Sequence, residues 1–160
     1  MFLGAKESIM ADQVILTIEG KAKLEQELEE RKEKRKEIIE KIELAKEHGD
    51  LSENAEYHEA REDQSFNEGR ILEIENILKN ASVATQIKGQ GVQIGSKISI
   101  KFNGDEKIFT IVGSHEADPL MGKISCDSPL GEALINKEVG ETVVVKAPKG
   151  PIDYQILSIE

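Results

Sequence analysis

Apolar side chains recur along this chain with two different periods, and the change falls near residue 90. From Gly20 to about Ala81 they step by threes and fours, the spacing of a coiled-coil seam. Before an interruption at His48-Gly-Asp-Leu-Ser52 the seam positions hold Leu24, Leu28, Arg31, Arg35, Ile38, Ile42 and Ala45. After it they hold Tyr57, Ala60, Gln64, Asn67, Ile71, Ile74, Leu78 and Ala81. Two amphipathic helices joined by a short turn bury their stripes against each other, so the pattern predicts an antiparallel helical hairpin. Each helix of about 28 residues would run roughly 40 Å. The middle of both stripes is polar (Arg31 and Arg35 facing Gln64 and Asn67), which costs stability and fixes register.

From about Gly89 the period becomes two. Val, Ile, Thr and Phe alternate with polar residues, glycines recur, and all four prolines lie in this half. Strands are expected at 97–102, 107–112, 142–146 and 153–159, the first two joined by a tight turn at Asn103-Gly104. Ser128-Pro-Leu-Gly-Glu-Ala-Leu-Ile135 reads as a short helix with Pro129 in its first turn. The fold class is therefore α+β. The boundary falls between Gln86 and Gln93, where Lys88-Gly-Gln-Gly91 reads as a link. This gives an unassigned extension at 1–13, a hairpin domain at 14–88 and a sheet domain at 89–160.

Composition narrows the function. Charged residues make up 32% of the chain, and no run approaches the roughly 18 apolar residues of a membrane helix. Residues 1–7 do not read as a signal peptide, so a cytoplasmic location is expected. The single cysteine, Cys126, excludes an internal disulfide framework and a cysteine-based metal site, and reads as a small buried residue. A net charge of −10 disfavours extensive DNA binding, which depends on neutralising phosphates. It leaves room for a local basic patch on nucleic acid or for a protein partner.

The chemistry is concentrated where the two stripes break. Gly49 suits the end of a first helix. Two accounts fit Asp50 and Glu53. In one, Asp50 or Ser52 caps the second helix, and Glu53 completes a loose capping box. In the other, carboxylates three residues apart converge from one side of a helical turn on a magnesium ion. That ion takes only one or two protein carboxylates and needs its other ligands from elsewhere. Nearby, His48 and His58 lack a third strong ligand for zinc. Tyr57 falls on the seam and suits packing, and Asn54 suits support of the turn.

The stretch Glu47-His-Gly-Asp-Leu-Ser-Glu-Asn-Ala-Glu-Tyr-His-Glu-Ala-Arg61, with Phe66-Asn-Glu-Gly-Arg-Ile71, closely resembles the GreA/GreB family of bacterial transcript cleavage factors, the GreA branch especially. The resemblance runs from about Val14 to the C-terminus. It implies a hairpin that enters the secondary channel of bacterial RNA polymerase, beside an FKBP-like second domain. Asp50 and Glu53 would help hold the second magnesium ion, shared with the polymerase and bound only in that complex, and orient the attacking water. Backtracked RNA would then be cut near its 3′ end by the polymerase's own centre, so the chain would be an accessory factor and not itself an enzyme. Lys46 and Arg61 would face the nascent RNA 3′ segment, and Ser128, Pro129 and Leu130 would meet the rim of the channel. The free protein is expected to be a monomer with no membrane association.

The departures are small. Residues 1–13 have no counterpart in the family, with Met10 a possible natural start, and the first helix is about one residue short between Leu28 and Ile38. Two other functions fit parts of the chain. One is a channel-binding inhibitor on the same scaffold, disfavoured by the intact Asp50 and Glu53. The other is a prolyl isomerase or chaperone with a helical arm, disfavoured by four Phe, two Tyr and no Trp, which are too few to line an apolar prolyl pocket.

Overall fold

The computed structural model of the chain describes residues 14–86 and 89–160. The expected extension at 1–13, with Met10, and Lys88 of the expected link lie outside the described residues. The chain divides into two compact units: Lys21–Asn80, and residues 14–20 together with Ala81–Glu160.

The first unit is the helical hairpin. Helix α1 spans Ile18–Glu47 and α2 spans Ala55–Asn80, about 45 and 39 Å at 1.5 Å per residue. The seam follows the stepped spacing. Leu24, Ile38, Ile42 and Ala45 are buried on α1, and Ala60, Asn67, Ile71 and Ile74 are buried on α2. Tyr57 packs against Ile38, Ile42 and Ala60, as a seam residue should. Two details depart from the pattern. Ile77 is buried while its expected neighbour Leu78 is only half-buried, and Ala81 is not helical but begins a strand.

The polar middle is solved differently from a face-to-face polar layer. Asn67 is 1% exposed, and its Nδ2 donates to the Arg31 carbonyl at 2.9 Å. Its Oδ1 has no hydrogen-bond partner among the described residues. Arg31 and Arg35 stay half-buried and pair with glutamates instead, Arg31 with Glu27 at 3.6 Å. Arg35 grips Glu68 with two bonds of 2.6 Å, and Arg70 grips Glu27 with two of 2.8 Å. These hydrogen bonds hold the Glu27 and Glu68 carboxyls below their ordinary range. Such part-exposed pairs add little to stability, but their fork geometry admits one sliding position of α2 on α1.

The second unit is built on five strands. They are β3 (Lys97–Phe102), β4 (Asp105–Val112), β5 (Lys123–Ser125), β6 (Thr142–Ala147) and β7 (Gly150–Ile159), in the order β5-β4-β3-β7-β6. Residues Asn103 and Gly104 both take positive φ, 52° and 89°, as a two-residue hairpin turn between right-twisted strands requires. A register shift in the β3–β7 ladder pairs Ser99 with Ser158 but Ile100 with Ile156. The extra residue, Leu157, rephases the alternation, so Ile156 and Ile159 both reach the core. That core is Val92, Ile98, Ile100, Ile111, Leu134, Val143 and Ile156. Cys126 packs at its edge, half-buried and not fully buried as expected, with its thiol pushed up by desolvation. Helix α3, Pro129–Leu134, supplies Leu134 to the core.

Residues 14–20 join this unit. Strand β1 (Val14–Leu16) pairs in parallel with β2 (Ala81–Val83), the strand that follows the hairpin. Thr17 Oγ1 accepts from Gly20 N at 2.9 Å and caps the start of α1. Glu116 closes the corner: it accepts from Thr17 N at 2.8 Å and from the Thr17 hydroxyl. A Cβ on Gly20 would lie 1.9 Å from the Glu116 carboxylate, and one on Gly113 would lie 1.9 Å from the Ile15 carbonyl oxygen. Glycine at both positions is what allows this approach.

Candidate functional site at the hairpin turn

The two helices are joined by residues 48–54, which carry Asp50 and Glu53. Helix α1 ends after Glu47. Gly49 then turns the chain with φ 108°, a left-handed conformation with open space around its Cα. Helix α2 does not start at Asp50 or Ser52 but at Ala55. Its cap is Asn54: Oδ1 accepts from Tyr57 N at 3.0 Å, and the Asn54 carbonyl accepts the first helical bond, from His58 N at 3.2 Å. The expected cap at Asp50 or Ser52 is therefore corrected. So is the helical i, i+3 geometry for Asp50 and Glu53, since both lie in the loop.

Asp50 closes a local turn within that loop. Its Oδ1 accepts from Ser52 N at 3.0 Å and from Ser52 Oγ at 2.7 Å. The Ser52 hydroxyl first, and its N–H second, hold the Asp50 carboxyl below its ordinary range. The other oxygen, Oδ2, makes no hydrogen bond among the described residues. Glu53 is exposed, and its carboxylate has no hydrogen-bond or ion-pair partner among the described residues. The loop thus offers one anchored and one uncommitted carboxylate.

The donor set suits magnesium, as hard carboxylate oxygens with room for other ligands. Among the described residues no group of three or more His, Cys, Asp or Glu could hold a metal ion. A magnesium ion held here would need other ligands from outside the chain.

The flanking residues are less concentrated. Lys46 lies in the last turn of α1 and is exposed. Arg61 is exposed on α2, bonded to Gln64, and is the sole Lys or Arg between Glu47 and Asp63. His58 Nε2 lies 3.4 Å from the Ser52 carbonyl, and its ring meets Tyr57 edge-on. In the sheet unit, Ser128 caps α3 by accepting from Gly131 N at 3.0 Å. Pro129 is exposed, whereas Leu130 is half-buried against the core. Sequence reasoning did not assign Asn54 as the cap. The signal was present, since Asn ranks with Asp and Ser as a cap and stands directly before the Ala-Glu-Tyr run.

An antiparallel helical hairpin bearing carboxylates at its turn, followed in the chain by a small sheet-and-helix unit, defines a two-part α+β protein that presents its acidic groups on a loop. A family model for the N-terminal part of a transcription elongation factor matches residues 14–83, and one for the C-terminal part of GreA/GreB matches residues 86–160. The transcription elongation factor GreA of Clostridium acetobutylicum is 53% identical over 151 residues, covering 91% of this chain and 96% of that protein. That of Bacillus anthracis is 46% identical over 150 residues, covering 91% and 95%. Among solved structures, GreA factor homolog 1 of Thermus thermophilus is 28% identical, covers 92% of this chain and 99% of that one, and has a TM-score of 0.44. The chain belongs to the GreA/GreB family of transcription elongation factors. No helix among the described residues is long and apolar enough to cross a membrane.

Proposed function

We propose that this elongation factor enters the secondary channel of bacterial RNA polymerase and stimulates the polymerase's own cleavage of backtracked nascent RNA. The observation that carries the reading is the pair of carboxylates at the turn, Asp50 anchored through one oxygen and Glu53 without a partner. A bound magnesium ion, shared with the polymerase, would supply charge stabilisation and an activated water for phosphodiester hydrolysis. Asp50 Oδ2 is the fixed oxygen that would help hold such an ion. Glu53, with neither oxygen committed, is free to orient the water and accept its proton. The chain lends these groups and leaves the substrate site to the polymerase.

Lys46 and Arg61 are the first cations on α1 and on α2 counting outward from the turn, and they face the RNA 3′ segment in this reading. Ser128, Pro129 and Leu130 meet the rim of the channel. Pro129 offers the exposed contact, while Leu130 ties that contact to the core.

The test uses a halted, backtracked elongation complex supplied with magnesium. The wild-type factor should release short 3′ RNA fragments. Asp50→Ala combined with Glu53→Ala should slow release by at least about 100-fold while still competing with the wild type for the complex. A double variant that cleaves at the wild-type rate removes the catalytic role from this loop.

A further inference from the structure

Two helix ends meet at the turn, and each has a defect that helices carry at their termini. The last carbonyls of α1 lack the i+4 amide partners of a helix interior, and the first N–H groups of α2 lack carbonyl partners four residues back. One side chain serves both. Asn54 Oδ1 accepts from Tyr57 N at 3.0 Å, and Asn54 Nδ2 donates to the Ala45 carbonyl at 2.8 Å. The electrostatics agree, since the acceptor sits at the positive end of α2 and the donor at the negative end of α1. A carboxamide carries a donor and an acceptor on one rigid plane, whereas an ionised Asp accepts only.

We propose that Asn54 is a positioning residue, which ties α1 to α2 across the turn and so holds the loop that presents Asp50 and Glu53. The proposal rests on the role just given to those carboxylates. The Asp50–Ser52 bonds order the loop internally, because both partners lie within it. They do not connect the loop to either helix. The Asn54 amide closes a ring from Ala45 to Asn54 with Asp50 and Glu53 inside it, at the cost of no other polar group. The same Ala45 carbonyl also takes the His48 N–H at 3.3 Å, so both arms of the loop converge on one atom.

A cap and a tie make opposite predictions for Asn54→Asp. Asp caps helices as well as Asn does, so a cap alone would be preserved. The tie would be lost, and a carboxylate oxygen would be turned on the Ala45 carbonyl. Asn54→Ser likewise keeps a cap and is too short to bridge.

Both variants should lower the maximal cleavage rate at saturating factor by about 10-fold and leave the half-saturating concentration within about twofold. In the free protein, backbone ¹⁵N relaxation should show the order parameters of residues 49–53 falling from about 0.85 toward 0.6, with α1 and α2 unchanged. Wild-type loop order in Asn54→Asp overturns the proposal, and so does a loosened loop that cleaves at the wild-type rate while the Asp50→Ala, Glu53→Ala variant does not. If that double variant itself cleaves normally, the catalytic reading has failed, and the relaxation measurement alone decides whether Asn54 ties the turn.

Discussion

Asp50 is fully exposed, yet it titrates below the ordinary carboxylate range because Ser52 donates to it twice. Both donors favour the ionised form, so the local turn is intact above the usual Asp range and is lost as pH falls through the depressed pKa. Ser52→Ala removes the larger of the two contributions. It should move the Asp50 titration back up toward its ordinary value while leaving the carboxylate ionised at neutral pH. Carbon-detected NMR of the Asp50 carboxyl would measure this directly, and an unmoved titration would show that the Ser52 hydroxyl is not the cause. At this scale the sequence is only partly legible. It marks the loop as the place of interest, but it cannot choose among Asp50, Ser52 and Asn54 as the cap, since all three residue types cap well. The choice depends on which side-chain oxygen meets the free N–H groups at the start of α2, and that is a property of the folded hairpin.

Between the helices, periodicity was a sound guide because burial alone sets it. Leu24, Ile38, Ile42, Ile71 and Ile74 are buried where the stepped spacing puts them. The polar layer was less legible. Its partners, Glu27 and Glu68, lie off the stripe among many other glutamates, and spacing does not say which of these the arginines take. Asn67 is the costly member, with a buried oxygen that nothing among the described residues satisfies. An unpaired buried acceptor costs roughly 1–3 kcal/mol. Asn67→Leu keeps the number and branching of side-chain heavy atoms, removes the orphan oxygen and leaves the Arg31 carbonyl in its helical ladder. We expect it to raise stability by about 1 kcal/mol, a shift of a few degrees in the thermal midpoint. An unchanged or lower midpoint by calorimetry would mean that the Asn67 bond to Arg31 outweighs its orphan oxygen. Where a turn residue requires unusual backbone, legibility returns: the Asn103-Gly104 turn and β3 are found as expected, while β4 starts two residues earlier than expected, at Asp105. Strands of three residues, such as β1, β2 and β5, are too short to show any period, and they were not foreseen.

The chain belongs to the GreA/GreB family, and its sheet unit is discontinuous in sequence. Strand β1 precedes the hairpin and β2 follows it, yet they are direct partners, Val14 with Ala81 and Leu16 with Val83. That pairing has a consequence in time. Closing a loop costs more entropy the longer it is, and contacts far apart in sequence form slowly. A chain that had to search for the β1–β2 register across an unstructured hairpin segment would do so at a disadvantage. Helices zip locally and quickly, and once α1 and α2 have paired they bring Lys21 and Asn80 to the same end of the hairpin. The hairpin is then a folding template for the strands on either side of it. Pulse-labelled hydrogen exchange during refolding should show amides of α1 and α2 protected before those of residues 14–16 and 81–83, and the reverse order would mean that the strands find each other first.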